Sequence, residues 1–253
     1  MKITRAVVPS LFTTLNIFCG FLSIVQSNQN EFYMASWFII LAAIFDSLDG
    51  VMARITKSSS QFGVELDSLA DVVSFGAAPS FMVYQAHLHT FENWGVLIAS
   101  MPVIFGAIRL ARFNVQLVGF DKDYFKGTPI PLQAMVICAY MFQYYADGVG
   151  FTGLGGTGLT LLVIILSLLM VSHVKYDTLP KLSKRQILTH PWKIVGLVLG
   201  GLILIFSKGT LLFAMLAFYL LFGIVRSLVD WLKKSKKGER IPEDTGEFSS
   251  IDM

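Results

Sequence analysis

Four aspartates in the first third of the chain, Asp46, Asp49, Asp67 and Asp71, are the residues best suited to chemistry. Asp46 and Asp49 are three apart and Asp67 and Asp71 are four apart, so on helices each pair projects from one face. Four carboxylates brought together away from bulk water repel one another unless cations neutralise them. Hard oxygen ligands at this density suit Mg²⁺ or Mn²⁺. All four aspartates are therefore read as ligands of a divalent metal. Between the pairs, the stretch from Ile55 to Phe62 contains Lys57 and the run Ser58-Ser59-Ser60, which reads as a short turn between antiparallel helices. Gly50, Ala53 and Gly63 remove bulk beside the carboxylates, and this lets either a ligand or a packed helix approach the backbone.

The elements that hold these residues are read from hydropathy. Of 253 residues 54% are hydrophobic and 15% charged, with a mean hydropathy of +0.64. That composition departs from soluble globular domains and indicates a polytopic membrane protein. A hydrocarbon core about 30 Å thick needs about 20 mostly apolar residues per helix. Such windows fall near residues 10–27, 32–56, 63–88, 94–116, 131–148, 157–174, 192–207 and 210–232. The expected fold is an all-α membrane bundle of about eight transmembrane helices, with six as the alternative. Asp46, Asp49, Arg54, Asp67, Asp71, Arg109 and Arg112 fall inside the second to fourth spans. Ionisable groups there are costly and usually face a protein interior or a water-filled cavity.

Orientation follows from Lys and Arg, which concentrate in short cytoplasmic loops. With the N-terminus inside, all but Lys208 of the 20 Lys and Arg residues fall at or near the cytoplasmic side. Both termini are then cytoplasmic, and so is the turn between the aspartate pairs. Residues 1–232 form one membrane domain, and residues 233–253 a basic, then polar, cytoplasmic tail. Lys233, Lys234, Lys236, Lys237 and Arg240 open that tail, as a stop-transfer cluster or a contact for anionic headgroups. The first apolar run lacks a small-residue cleavage pattern and reads as a retained helix. Cys19 and Cys138 lie in apolar runs and read as core residues.

The pattern Asp46-x2-Asp49-Gly50-x2-Ala53-Arg54-x8-Gly63-x3-Asp67-x3-Asp71 matches the signature of the CDP-alcohol phosphatidyltransferases at every defined position, and the chain resembles that family. Within it the chain is most similar to the membrane-integral phosphatidylserine synthases. That narrower likeness rests on Arg109-Leu110-Ala111-Arg112-Phe113-Asn114, on Lys126-Gly127-Thr128-Pro129-Ile130-Pro131, and on Met170-Val171-Ser172-His173 leading to Lys175-Tyr176.

The resemblance implies that Asp46, Asp49, Asp67 and Asp71 surround one or two Mg²⁺ or Mn²⁺ ions on the pyrophosphate of CDP-diacylglycerol. Asp71 is then also the base that accepts the proton of the L-serine hydroxyl, with a role as metal ligand alone as the alternative. Asp49, Gly50, Ala53, Arg54, Gly63 and Asp67 would bind the donor. Arg54 offers a phosphate fork, though an interface anchor is the plainer role. Asn16, with Thr13 and Thr14 just before it, either reaches the nucleotide or bonds a neighbouring helix. Arg109 and Arg112, three apart on one helical face, suit a carboxylate or phosphate, or are interface charges. Asn114, Lys126 and Thr128 complete the expected acceptor side. The family likeness also implies a homodimer among membrane lipids; no nucleic-acid partner is expected. Two other readings compete: the same chemistry on glycerol 3-phosphate, inositol phosphate or choline, and a cation transporter built on intramembrane acids.

Overall fold

The computed structural model describes residues 7–56, 60–117, 125–146, 148–172, 175–176 and 210–236. Apolar runs become helices because no water is present in a bilayer to satisfy an open backbone. Helix α1 (Val7–Asn28) turns sharply into α2 (Phe32–Thr56). Asn30 takes the left-handed conformation at that turn, φ 65°, a geometry Asn tolerates better than most side chains.

Helix α3 (Gln61–Asp71) starts at Ser60, whose extended backbone and side-chain oxygen cap the Gly63 N–H at 3.0 Å. It continues without a break into a π-helical segment, Val72–Ala77, and then into α4 (Ala78–Ala86). The wide turn falls just ahead of Pro79, whose ring would crowd the carbonyl one turn back in a regular helix. After a 3₁₀ turn (Leu88–Phe91), α5 (Glu92–Leu117) runs back with Pro102 inside it. Helices α6 (Ile130–Tyr144), α7 (Gly155–Val171) and α8 (Thr210–Lys236) complete the described helices.

Among the described residues, four helical stretches are long and apolar enough to cross a membrane: Ser10–Asn28, Phe32–Met52, Gln61–Ala86 and Leu88–Val115. These match the first four expected spans. The fifth and sixth correspond to α6 and α7, apolar helices of 15 and 17 residues. At 1.5 Å per residue these are about 22 and 26 Å long, short of a hydrocarbon core of about 30 Å. The eighth lies within α8, and the seventh, 192–207, lies outside the described residues. The fold is thus mostly helical, as expected. Two antiparallel ribbons of two-residue strands were not foreseen: β1 (Phe125–Lys126) with β4 (Lys175–Tyr176), and β2 (Tyr145–Ala146) with β3 (Gly150–Phe151).

The helices are apolar inside and out, as a chain dissolved in lipid must be. Phe75, Met82, Ile130, Ile137, Leu159 and Leu166 are buried in the core, while Phe18, Phe21, Leu97, Ile104, Leu161 and Ile165 face outward. Small residues let the backbones close up. An added Cβ at Gly20 would strike Ser74, one at Gly106 would strike Ile130, and one at Gly76 would come 3.3 Å from the Val103 Cα. At one end of the bundle aromatic rings interlock. Phe32 meets Tyr145 edge-on at 4.9 Å, Tyr145 meets Phe151 at 4.9 Å, and the Tyr140 hydroxyl donates to the Gly155 carbonyl at 2.8 Å. The opposite end carries the four aspartates.

Candidate active site

The C-terminal part of α2 presents Asp46 and Asp49, and α3 presents Asp67 and Asp71. One carboxylate oxygen from each of Asp46, Asp49 and Asp67 lies within 4.8 Å of the other two. Asp71 contacts Asp46. Asp49 and Asp71 are buried, and Asp46 and Asp67 are half-buried. A third helix contributes an anchor: Thr13 Oγ1 of α1 donates to Asp49 Oδ2 at 2.9 Å.

Oxygen Oδ1 of Asp67 and Oδ1 of Asp71 are buried without a hydrogen-bond partner among the described residues. Buried acceptors left open in this way fit a cation, because no donor competes for them. A hard divalent ion with oxygen ligands at about 2.0–2.2 Å draws those ligands to roughly 3–4 Å of each other, a modest inward adjustment from the observed spacing. The acidic triad could therefore hold a metal ion.

Asp67 and Asp71 also form one wall of a cleft of ≈ 230 Å³. Arg109, Phe113 and Asn114 of α5 form a second wall, and Pro129, Ile130 and Pro131 at the start of α6 a third. Asn114 is fixed by donating from Nδ2 to Ser68 Oγ at 2.9 Å. Arg109 is half-buried beside Asp71, and its Nε has no partner among the described residues. Arg112, expected to share its face, is exposed and does not line the cleft.

Just before α6, the chain folds back on the end of α7. Phe125 pairs with Tyr176 and Lys126 with Lys175, and the Thr128 N–H donates to the Leu169 carbonyl at 3.3 Å. Gly127 permits this approach. Its φ is +79°, and an added Cβ would collide with the Met170 carbonyl oxygen. Two sequence segments with 38 residues between them, Lys126–Pro131 and Met170–Tyr176, thus meet beside the cleft. Thr128 is fully buried, with Oγ1 unpartnered among the described residues.

Around the aspartates, Asn16 is fully buried and its amide nitrogen and oxygen are both unpartnered among the described residues. Its main-chain carbonyl accepts the Ser74 hydroxyl at 2.9 Å, so here the backbone makes the bond between helices. The two glycines of the motif differ. An added Cβ at Gly50 would meet nothing within 4 Å, whereas at Gly63 it would lie 3.2 Å from the capping oxygen of Ser60. Open space therefore adjoins Asp49, and Gly63 serves the start of α3. The side chains of Ala53, Arg54 and Lys126 lie outside the described residues. Sequence reading missed Ser68 and Ser74, whose only signal was proximity to Asp67 and to Asp71, took Thr13 only as a neighbour of Asn16, and had Phe113 within the Arg109–Asn114 segment without giving it a role.

A family model described as CDP-alcohol phosphatidyltransferase matches residues 6–173. The chain is 39% identical over 221 residues to the CDP-diacylglycerol–serine O-phosphatidyltransferase of Helicobacter pylori, covering 86% of this chain and 90% of that protein. It is 37% identical over 179 residues to the archaetidylserine synthase of Methanothermobacter thermautotrophicus, covering 69% and 72%. Against the CDP-diacylglycerol–serine O-phosphatidyltransferase of Bacillus subtilis it is 32% identical over 185 residues, covering 73% and 98%. The chain belongs to the CDP-alcohol phosphatidyltransferase family.

Proposed function

We propose that this integral membrane enzyme transfers the phosphatidyl group of CDP-diacylglycerol to the hydroxyl of L-serine, giving phosphatidylserine and CMP. The observation that carries this reading is the shared cleft. Asp67 and Asp71 face a space whose other walls, Arg109 with Asn114 and Pro129 to Pro131, come from two of the segments that resemble serine-using relatives. Those relatives are named CDP-diacylglycerol–serine O-phosphatidyltransferases.

The serine oxygen attacks the phosphorus that bears the diacylglycerol. A new P–O bond forms as the bond to CMP breaks, and the hydroxyl proton passes to the Asp71 carboxylate. The carboxylate works on a hydroxyl already held against phosphorus. Asp46, Asp49, Asp67 and Asp71 would hold one or two Mg²⁺ or Mn²⁺ ions. A metal bound there would offset charge on the pyrophosphate and would ease departure of CMP. Asn16, Gly50, Ala53, Arg54 and Gly63 serve the donor, with Gly50 leaving room for it. Arg109, Arg112, Asn114, Lys126 and Thr128 serve serine or its neighbouring phosphate, with Arg109 and Asn114 in the wall of the cleft. The lipid tails remain in the bilayer while the headgroup enters the cleft. Eight spans, cytoplasmic termini, a cytoplasm-facing site, a membrane domain over residues 1–232 with a tail at 233–253, and a homodimer complete the proposal.

The test is to give purified protein CDP-diacylglycerol with Mn²⁺ or Mg²⁺ and separately labelled alcohols. Label from serine should enter lipid with stoichiometric CMP release. Label entering from glycerol 3-phosphate and not from serine would overturn the assignment of acceptor.

A further inference from the structure

One polar residue in the cleft wall has no part yet in the proposed chemistry. Ser68 of α3 lines the cleft together with Asn114 of α5, and both are half-buried, so a bound molecule can reach that wall. Asn114 Nδ2 donates to Ser68 Oγ at 2.9 Å, and Ser68 Oγ donates in turn to the Val64 carbonyl, one turn back on α3, at 3.1 Å.

The direction of these bonds is forced. A serine hydroxyl has one hydrogen and two lone pairs. The Val64 carbonyl takes the hydrogen, as the carbonyl four residues back commonly does for a helical serine. Ser68 Oγ can then only accept, so Asn114 must turn its NH₂ toward α3, and its Oδ1 points the other way. No other described residue bonds that side chain. The α5 wall of the cleft thus carries two groups of opposite character, a guanidinium at Arg109 and a carbonyl oxygen at Asn114 that can only accept. Five residues separate them in register, about 7.5 Å of helix rise, which leaves space for two hydrogen bonds of about 3 Å each and a molecule only a few atoms across.

We propose that Ser68 is a positioning residue for the acceptor site: it holds the Asn114 carboxamide with Oδ1 toward the cleft, where that oxygen accepts from the ammonium group of a small amino alcohol while Arg109 takes the carboxylate. Phosphorylated acceptors such as glycerol 3-phosphate bring no ammonium for this oxygen. The inference rests on the serine reading above and adds to it which pole of serine meets which side chain.

The experiment uses the full-length protein in detergent with CDP-diacylglycerol and Mn²⁺, comparing Ser68→Ala, Ser68→Thr, Asn114→Leu and the Ser68→Ala/Asn114→Leu double variant with the unaltered chain. Ser68→Ala should raise the KM for serine about fivefold and Asn114→Leu about tenfold, with the KM for CDP-diacylglycerol unchanged in both. Because Ser68 acts through Asn114, the double variant should be no worse than Asn114→Leu alone. Ser68→Thr keeps the hydroxyl and should restore most of the affinity. Two inhibitors separate the poles of the acceptor. Ethanolamine, which has the ammonium and no carboxylate, should lose about fivefold in Ki with Ser68→Ala, while 3-hydroxypropionate, which has the carboxylate and no ammonium, should keep its Ki. If Ser68→Ala does not fold, the same split between inhibitors in Asn114→Leu decides. An unchanged serine KM in folded Ser68→Ala protein overturns the proposal. So does a lowered melting temperature with unchanged KM, which marks a clasp between helices and nothing more, and so do additive losses in the double variant. If the unaltered protein uses no serine at all, the acceptor reading has failed and this inference with it; serine use that is indifferent to Ser68→Ala defeats this inference alone.

Discussion

The two ends of the bundle are built on opposite principles. At the aromatic end the Tyr140 hydroxyl reaches the Gly155 carbonyl and the rings of Phe32, Tyr145 and Phe151 meet edge-on, with Ser27 Oγ and His87 Nε2 as buried polar atoms unpartnered among the described residues. At the aspartate end, Asp67, Asp71, Arg109, Thr128 and Gln133 each keep at least one buried polar atom unpartnered among the described residues. In a bilayer such atoms are expensive. The difference teaches where stability and chemistry reside. One end holds the helices together, and the other keeps buried acceptors open in a place that could hold a metal ion.

If that division holds, Asp67→Asn should have the largest catalytic effect. CMP release should fall about a thousandfold or more, the scale of lost metal-assisted charge stabilisation, with an unchanged melting temperature. Near-normal turnover by folded Asp67→Asn protein would break the metal-site reading. The converse substitution is Phe32→Ala at the other end. Removing a buried ring should cost about 3–5 kcal/mol of stability while the KM values of the surviving folded enzyme stay the same. A shifted serine KM would show that the ends are not independent.

Gly127→Ala should lie between these. A Cβ at φ +79° facing the Met170 carbonyl strains the ribbon beside the cleft, costing about 1–3 kcal/mol and raising the serine KM more than the donor KM. Loss of donor affinity alone would move this loop to the other substrate. Gly50→Ala should be the mildest. With nothing within 4 Å of the added carbon, helix propensity favours alanine by about 0.8–1 kcal/mol, so the melting temperature should hold or rise. A several-fold increase in donor KM would mark the open space as the place where the donor approaches.

The aspartate end was legible in the sequence to the extent that its geometry is local. Spacings of three and four on two neighbouring helices fix which carboxylates share a face, and three of them do converge within 4.8 Å. Arg109 and Arg112 show where that logic stops. Both fit one helical face by spacing, yet only Arg109 lines the cleft, because the neighbours of α5 and not its period decide which side chain is covered. The Thr13 contact to Asp49 and the pairing of Lys126 with Lys175 join residues far apart in sequence. No single-chain pattern encodes such contacts. Hydropathy located the four long spans, but α6 and α7 are shorter than expected because the chain leaves the helix early, into two-residue ribbons.

The π-helical segment has a bearing on how this sequence tolerates change. It holds one more residue per turn than the helices on either side, and Val72–Ala77 joins Asp71 to the buried face of α4. The extra residue is absorbed within the wide turn, so deleting one residue from the segment would let it close to an ordinary α-helical turn and keep Asp67 and Asp71 nearly in phase with the rest of the span. Alanine at Gly76, where an added Cβ would come 3.3 Å from the Val103 Cα, should be felt more than alanine at Val72. In this stretch, packing is under tighter constraint than length.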